Sequence, residues 1–98
     1  MAVKKSLSVS AQNTWSAKFD LTGSSHNRGL PAVALICATS DTSTVTLRRY
    51  ASDGTTVIAA LDLDSTMTAI EVPVAGTYDV GVATGNYGGT ALTVTVEQ

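Results

Sequence analysis

Two runs close the chain: Gly76-Thr77-Tyr78-Asp79-Val80-Gly81-Val82 and, beyond Thr84-Gly85-Asn86-Tyr87-Gly88-Gly89, Ala91-Leu92-Thr93-Val94-Thr95-Val96. In each, apolar residues alternate with small or polar ones. Tyr78, Val80 and Val82 share one parity in the first; Leu92, Val94 and Val96 share one in the second. A period of two belongs to a strand with one buried face, because successive side chains of an extended backbone point to opposite sides. The glycine-rich connection between the runs predicts a β-hairpin over Ala75 to Gln98. A lone hairpin is marginally stable in water, so the rest of the chain must supply a second apolar surface.

Working outward, the same period recurs. Ser6 to Ser10 predicts a short edge strand with Leu7 and Val9 inward, behind a charged N-terminal arm, residues 1–5. Trp15 to Leu21 predicts a strand with Trp15, Ala17, Phe19 and Leu21 on the core side and Ser16, Lys18 and Asp20 in water. Ala32 to Ala38 is apolar at both parities and predicts a central strand covered on both faces, the outer one by another subunit. In Ser43 to Tyr50, Val45 and Leu47 point inward, whereas Thr44, Thr46, Arg48 and Tyr50 point outward. Arg49 shares the inward parity, so its guanidinium must pass the core's edge or meet a carboxylate. Ala51-Ser52-Asp53-Gly54 is a turn, Thr55 to Leu61 a strand, Asp62 to Ser65 a second turn, and Met67 to Val72 a strand with Ile70 and Val72 inward. About eight short strands without a helical period predict one all-β domain over residues 1–98: a two-sheet antiparallel β-sandwich, with Ig-like and jelly-roll connectivity both open.

Composition narrows the function classes. Five aromatic residues stand among many Val, Ala, Thr and Ser in a chain of 98 residues, a strand-forming mixture with length enough for one core. Cys37 is the single cysteine, so no intrachain disulfide forms, and within Ala34-Leu35-Ile36-Cys37-Ala38 it reads as a small buried apolar group. The alternation after Lys5 is neither a signal peptide nor a membrane span. Six basic and two acidic residues precede residue 51, and six acidic residues follow it. The basic groups are not clustered with aromatics and the total is −2, which argues against nucleic acid as a partner. The imbalance reads as solvated charge or as complementary charge between neighbouring subunits.

No set of reacting groups can be assembled from the sequence. His26 is the single histidine, no Gly-x-Ser-x-Gly turn accompanies it, and Gly85, Gly88 and Gly89 lie between strands and not ahead of a helix, where a phosphate-binding loop would put them. Cys37 and His26 fall short of the four ligands of a zinc site, and Asp62 and Asp64 fall short of the six oxygens calcium wants. The expectation is a protein without catalysis, metal or cofactor. The aperiodic segment Thr22 to Pro31, with His26, Asn27 and Arg28 at its middle, reads as a loop suited to docking on a partner. Tyr87 in the glycine turn and Tyr50 on the outward parity are the aromatic handles a sugar or an interface could use.

Several of these segments together resemble a group of short tailed-bacteriophage virion proteins. They are Thr14-Trp15 leading into Phe19-x-Leu21-x-Gly23; Ser43-Thr44-Val45-Thr46-Leu47-Arg48-Arg49 followed by Asp53-Gly54-Thr55-Thr56; and Ala75 to Val82 with Thr84-Gly85-Asn86-Tyr87-Gly88-Gly89-Thr90. This chain carries Asp79 and Gly81 where members of the group often have an arginine. The resemblance implies a capsid decoration or cement protein, made in the bacterial cytoplasm and carried on the virion. It would clamp neighbouring copies of the major capsid protein, often as a homotrimer. Lys4, Lys5, His26, Asn27, Arg28, Arg48, Arg49, Tyr50 and Tyr87 are the candidate capsid and subunit contacts. The other expectation is a receptor- or carbohydrate-binding module of a tail or fibre.

Overall fold

The computed structural model describes residues 3–22, the backbone of 34–38, and residues 42–64, 69–72 and 74–98. These form nine strands and no helix: β1 (Val3–Val9), β2 (Thr14–Trp15), β3 (Phe19–Leu21), β4 (Ala34–Ala38), β5 (Val45–Tyr50), β6 (Val57–Leu63), β7 (Ala69–Val72), β8 (Gly76–Val82) and β9 (Leu92–Glu97). One antiparallel sheet has the order β1-β9-β4-β7. The other has β2-β8-β5-β6, with β3 also on β8, so β2 and β3 are two pieces of one interrupted strand. Among the described residues no helix is long and apolar enough to cross a membrane.

The pairing is nested. β5 pairs with β6, β4 with β7, β2 and β3 with β8, and β1 with β9, all antiparallel. The connection between β5 and β6 closes on itself, Gly54 N donating to Ala51 O at 2.9 Å and Ala51 N to Thr56 O at 2.8 Å. Gly54 sits at φ 74°, a conformation other residues adopt only with strain. The inner faces of both sheets meet in one core. Val9, Val72, Leu92, Val94 and Val96 come from the first sheet, and Phe19, Leu21, Val45, Leu47, Leu63, Tyr78, Val80 and Val82 from the second. The layout is sandwich-like, and burying one face of each strand is its main stabilisation.

The predicted hairpin over Ala75 to Gln98 does not form. Both runs are strands with the expected parity inward, yet β8 lies in one sheet between β5 and the β2/β3 strand, and β9 in the other between β1 and β4. The connection over 83–91 crosses from sheet to sheet, and its polar groups bond elsewhere. Asn86 O accepts from Thr44 N at 3.0 Å, Gly88 N donates to Ser43 Oγ at 2.8 Å, and Gly85 N to Gln12 Oε1 at 2.5 Å. Nine residues anchored in this way cannot act as a tight two-residue turn. At the opposite crossing, from β7 to β8, the Tyr78 hydroxyl donates to the carbonyl of Val74 four residues upstream.

Three further expectations are corrected. Trp15 to Leu21 is not one regular strand: Trp15 faces Gly81 and Phe19 faces Tyr78, so three residues separate the first pair from the second on one strand and two on the other. The extra residue reverses the parity, as a bulge does, and turns Trp15 to the outer face while Phe19 and Leu21 stay inside. Ala17, in the interruption, is exposed. Asp62 and Leu63 continue β6 and do not turn, because Leu63 pairs with Val45 and fills the core. The arm is strand from Val3 on, pairing with Glu97 of β9. By contrast β4 is central between β9 and β7 as anticipated; the side chains of residues 34–38 lie outside the described residues.

Candidate functional site

The groups with most chemistry to offer collect on the outer face of the second sheet. The register places Arg48 opposite Asp79 and Trp15 opposite Gly81, on three adjacent strands. Asp79 is buried at 4% exposure and accepts three hydrogen bonds: Arg48 Nε to Oδ1 at 2.8 Å, Arg48 Nη2 to Oδ2 at 2.6 Å, and the Tyr50 hydroxyl to Oδ2 at 2.7 Å. The fork of the guanidinium matches the carboxylate in a bidentate pair. The guanidinium carbon also lies 3.6 Å from the centre of the Trp15 ring, close enough for a cation–π contact. Lys18 Nζ stands 4.4 Å from the Tyr50 ring centre and donates to Gly54 O at 2.5 Å. Gly81 makes room for this stack: a Cβ there would lie 2.2 Å from Thr14 O and 2.7 Å from the Trp15 ring.

These contacts set the protonation of the cluster. The hydrogen bond to Asp79, ahead of the pair's Coulomb attraction and against the cost of burial, raises the Arg48 pKa above its ordinary value. The same carboxylate, with burial second, raises the Tyr50 phenol. Tyr50 is therefore a neutral donor at physiological pH. The arrangement is a self-satisfied polar cluster: every strong acceptor on Asp79 meets a donor, and the exposed side of Trp15 is capped by a cation.

Compared with models of known protein families, with curated proteins and with solved structures, the chain finds no match. The reading of the site rests on its own geometry.

Of the residues singled out from the sequence, Arg48 and Tyr50 are brought together, but Tyr50 is buried at 9% exposure and offers no open ring. The parity that put it outward is right; Lys18 stands over its ring. Tyr87 is half-buried and packs against the core, so it is not an exposed handle either. Arg49 does have inward parity, and it turns into an apolar cleft beside β6, where its Nε is buried without a hydrogen-bond partner. Lys4 is exposed at the irregularity between Val3 and Lys5, and Lys5 is half-buried opposite Val96. His26, Asn27 and Arg28 lie outside the described residues. Among the described residues no three His, Cys, Asp or Glu side chains are grouped so as to hold a metal ion. Asp62 accepts from the Thr46 hydroxyl at 2.8 Å.

Asp79 is the member of this cluster that the sequence did not single out. Its outward parity and that of Arg48 are both visible in the alternation, but their meeting depends on β5 lying beside β8 in one register. The pair also answers part of the charge imbalance, since a base of the first half meets an acid of the second within one chain.

One acid carries a pH dependence. Asp53 Oδ1 accepts from Thr55 N and Thr56 N, and Oδ2 from the Thr56 hydroxyl at 2.6 Å. The Thr56 side chain first, and then these amides, lower its pKa from 3.8 to about 2. A carboxyl depressed in the folded state stabilises the fold above its ordinary pKa, and that contribution is lost as pH falls from about 4 toward 2. Asp53→Ala should therefore melt with a smaller drop between neutral pH and pH of about 2 than the parent chain. Equal drops in calorimetry would show that the turn does not depend on this carboxylate.

Proposed function

We propose that the protein is a structural component of a bacteriophage virion, a decoration or cement protein that sits on the outer capsid surface, stabilises contacts between capsomers and associates with copies of itself. The observation that carries this reading is the closure of the outer face. Arg48, Asp79, Tyr50, Trp15 and Lys18 satisfy one another, which suits a rigid wall better than a ligand platform or a reaction site. The strand order adds support at the level of fold. With β2 and β3 counted as one, the sheets run first-eighth-third-sixth and second-seventh-fourth-fifth, which supports the jelly-roll alternative of the sandwich. That architecture serves viral shells and lectins alike. The burial of Tyr50 and the capping of Trp15 favour the shell over the lectin.

Lys4 and the segment over 22–31 are the proposed capsid contacts. Trimming residues 1–5 would remove strand pairs with β9, so the charge reversal Lys4→Glu is the cleaner probe. Mixed with expanded empty capsids and pelleted, the parent chain should co-sediment and raise the temperature at which the shells open. Lys4→Glu should lower occupancy several-fold with the melting temperature of the free protein unchanged, since rim charges act mainly on encounter, and replacement of the 22–31 segment should lower occupancy as well. Full occupancy after both changes, or no binding by the parent, counts against the proposal. So does saturable binding on a glycan array that is lost in Tyr50→Ala or Tyr87→Ala.

A further inference from the structure

Arg48 and Arg49 are neighbours in β5 and point to opposite faces of the second sheet. The outward one meets a carboxylate and an aromatic ring. The inward one makes no hydrogen bond and no ion pair among the described residues. Polar groups in a folded chain nearly always find partners, so a partnerless arginine with one nitrogen buried calls for a reason. Its stem is held in place by Gly76, where an added Cβ would lie 3.1 Å from Nε and 3.7 Å from Cγ and Cδ. Nε is shut off from water, whereas the two terminal nitrogens are not buried and present their fork to solvent.

The surroundings of that fork are apolar. Ala59, Leu61 and Leu63 share the inner-face parity of β6, but cover runs out along the strand: Leu63 is 1% exposed, Leu61 37%, and Ala59 fully so. This uncovered end, with Leu47, Val74 and Tyr78, forms an open cleft of about 110 Å³ around Arg49. The Tyr78 hydroxyl is committed to the carbonyl of Val74. Arg49 is therefore the one charged group among the described lining residues, and their one uncommitted side-chain donor.

We infer that this cleft binds a short aliphatic monocarboxylate, its carboxylate on the terminal fork of Arg49 and its chain against Ala59, Leu61 and Val74. Two parallel N–H donors match the two oxygens of a carboxylate. A guanidinium partly withdrawn from water gains more from a counter-anion than a fully hydrated one. The apolar walls decide against phosphate or sulfate, whose remaining oxygens would be left facing carbon without a donor. They favour a ligand that places hydrocarbon there instead. A cavity of about 150 Å³ takes the six carbons of benzene, so this cleft takes about four beyond the carboxyl group. The site stands apart from the proposed function, and neither requires the other.

The probe is sodium pentanoate, titrated into the full chain at constant ionic strength and followed by nitrogen–proton correlation spectra. Binding should saturate at one site with a Kd on the order of a few millimolar, as expected of so small a ligand. The Arg49 Nε–H signal, assigned by its loss in Arg49→Leu, should shift along the same curve as the amides of Ala59 and Leu61. Arg49→Leu should weaken pentanoate at least about fivefold, because the charged partner is gone while the apolar walls remain. Ala59→Phe keeps the arginine and fills the cleft, and should abolish binding; its melting should match the parent, since Ala59 is exposed. Pentan-1-ol and acetate, each lacking one half of the ligand, should both bind more weakly than pentanoate. No saturation, equal affinity for pentan-1-ol, or a curve indifferent to Arg49→Leu overturns the site. So does sedimentation equilibrium showing self-association of the parent that Ala59→Phe disperses, which would make a second copy of the chain the occupant.

Discussion

Arg48→Ala should be among the most damaging single changes to this fold, although the residue sits on the outer face and not in the core. Removing one member of a fully buried pair costs about 3–5 kcal/mol, because the other charge is left without compensation. The Asp79 side chain keeps 5% of its surface and that of Arg48 29%, so solvent screening brings the expected loss to about 2–3 kcal/mol. For a chain of 98 residues this lowers the melting midpoint by roughly 10 °C or more. Urea denaturation should show it as a lower midpoint at unchanged slope. Arg48→Lys should recover only part, since an ammonium cannot make the bidentate contact or lie flat on Trp15. In the double-mutant cycle with Asp79→Ala the two losses should fall well short of adding. A loss within about 0.5 kcal/mol, the range of ordinary surface substitutions, would mean that the cluster is decoration and not framework.

Gly81→Ala should be comparable in size and different in kind. The atoms an added Cβ would meet are backbone and ring: Thr14 O at 2.2 Å, the Trp15 ring at 2.7 Å and Trp15 Cα at 2.8 Å. None of them is the free end of a flexible side chain, so β2 must move off β8. That movement forfeits the Thr14–Val82 and Trp15–Gly81 pairs and the bond from Ser16 N to Val80 O, 2.8 Å. Overpacking commonly costs about 1–3 kcal/mol, and the upper end applies where backbone cannot yield. Trp15 is the single tryptophan, so its native-state emission reads the displacement directly and should shift to the red. An unshifted spectrum with parental stability would place β2 elsewhere than against Gly81.

The two variants mark where the sequence was legible and where it was not. Alternation identified the inward residues of β5, β7, β8 and β9, because a period of two is a property of one strand and needs no partner. Asp53-Gly54 marked the connection of β5 to β6 for a similarly local reason: a carboxylate accepting from its own following amides, and a glycine at positive φ. Local reasoning failed where a neighbour intervened. Trp15 changed face because one extra residue entered its strand opposite β8. Tyr50 was covered by Lys18, which comes from a different part of the chain. The glycine-rich connection after Val82 looked like a hairpin turn, but its amides and carbonyls are taken up by Gln12, Ser43 and Thr44.

The order of residues alone thus determined an all-β chain and the face that β5, β7, β8 and β9 bury. Tertiary structure decided which strands lie side by side, and with that the meeting of Arg48 with Asp79, the stacking of Trp15 and the exposure of β6. The physical reason is one of range. A side chain's direction follows from the dihedral angles of its own strand, whereas a strand's neighbour follows from a competition among all the apolar faces in the chain, in which β1 and β9, at opposite ends of the sequence, become partners.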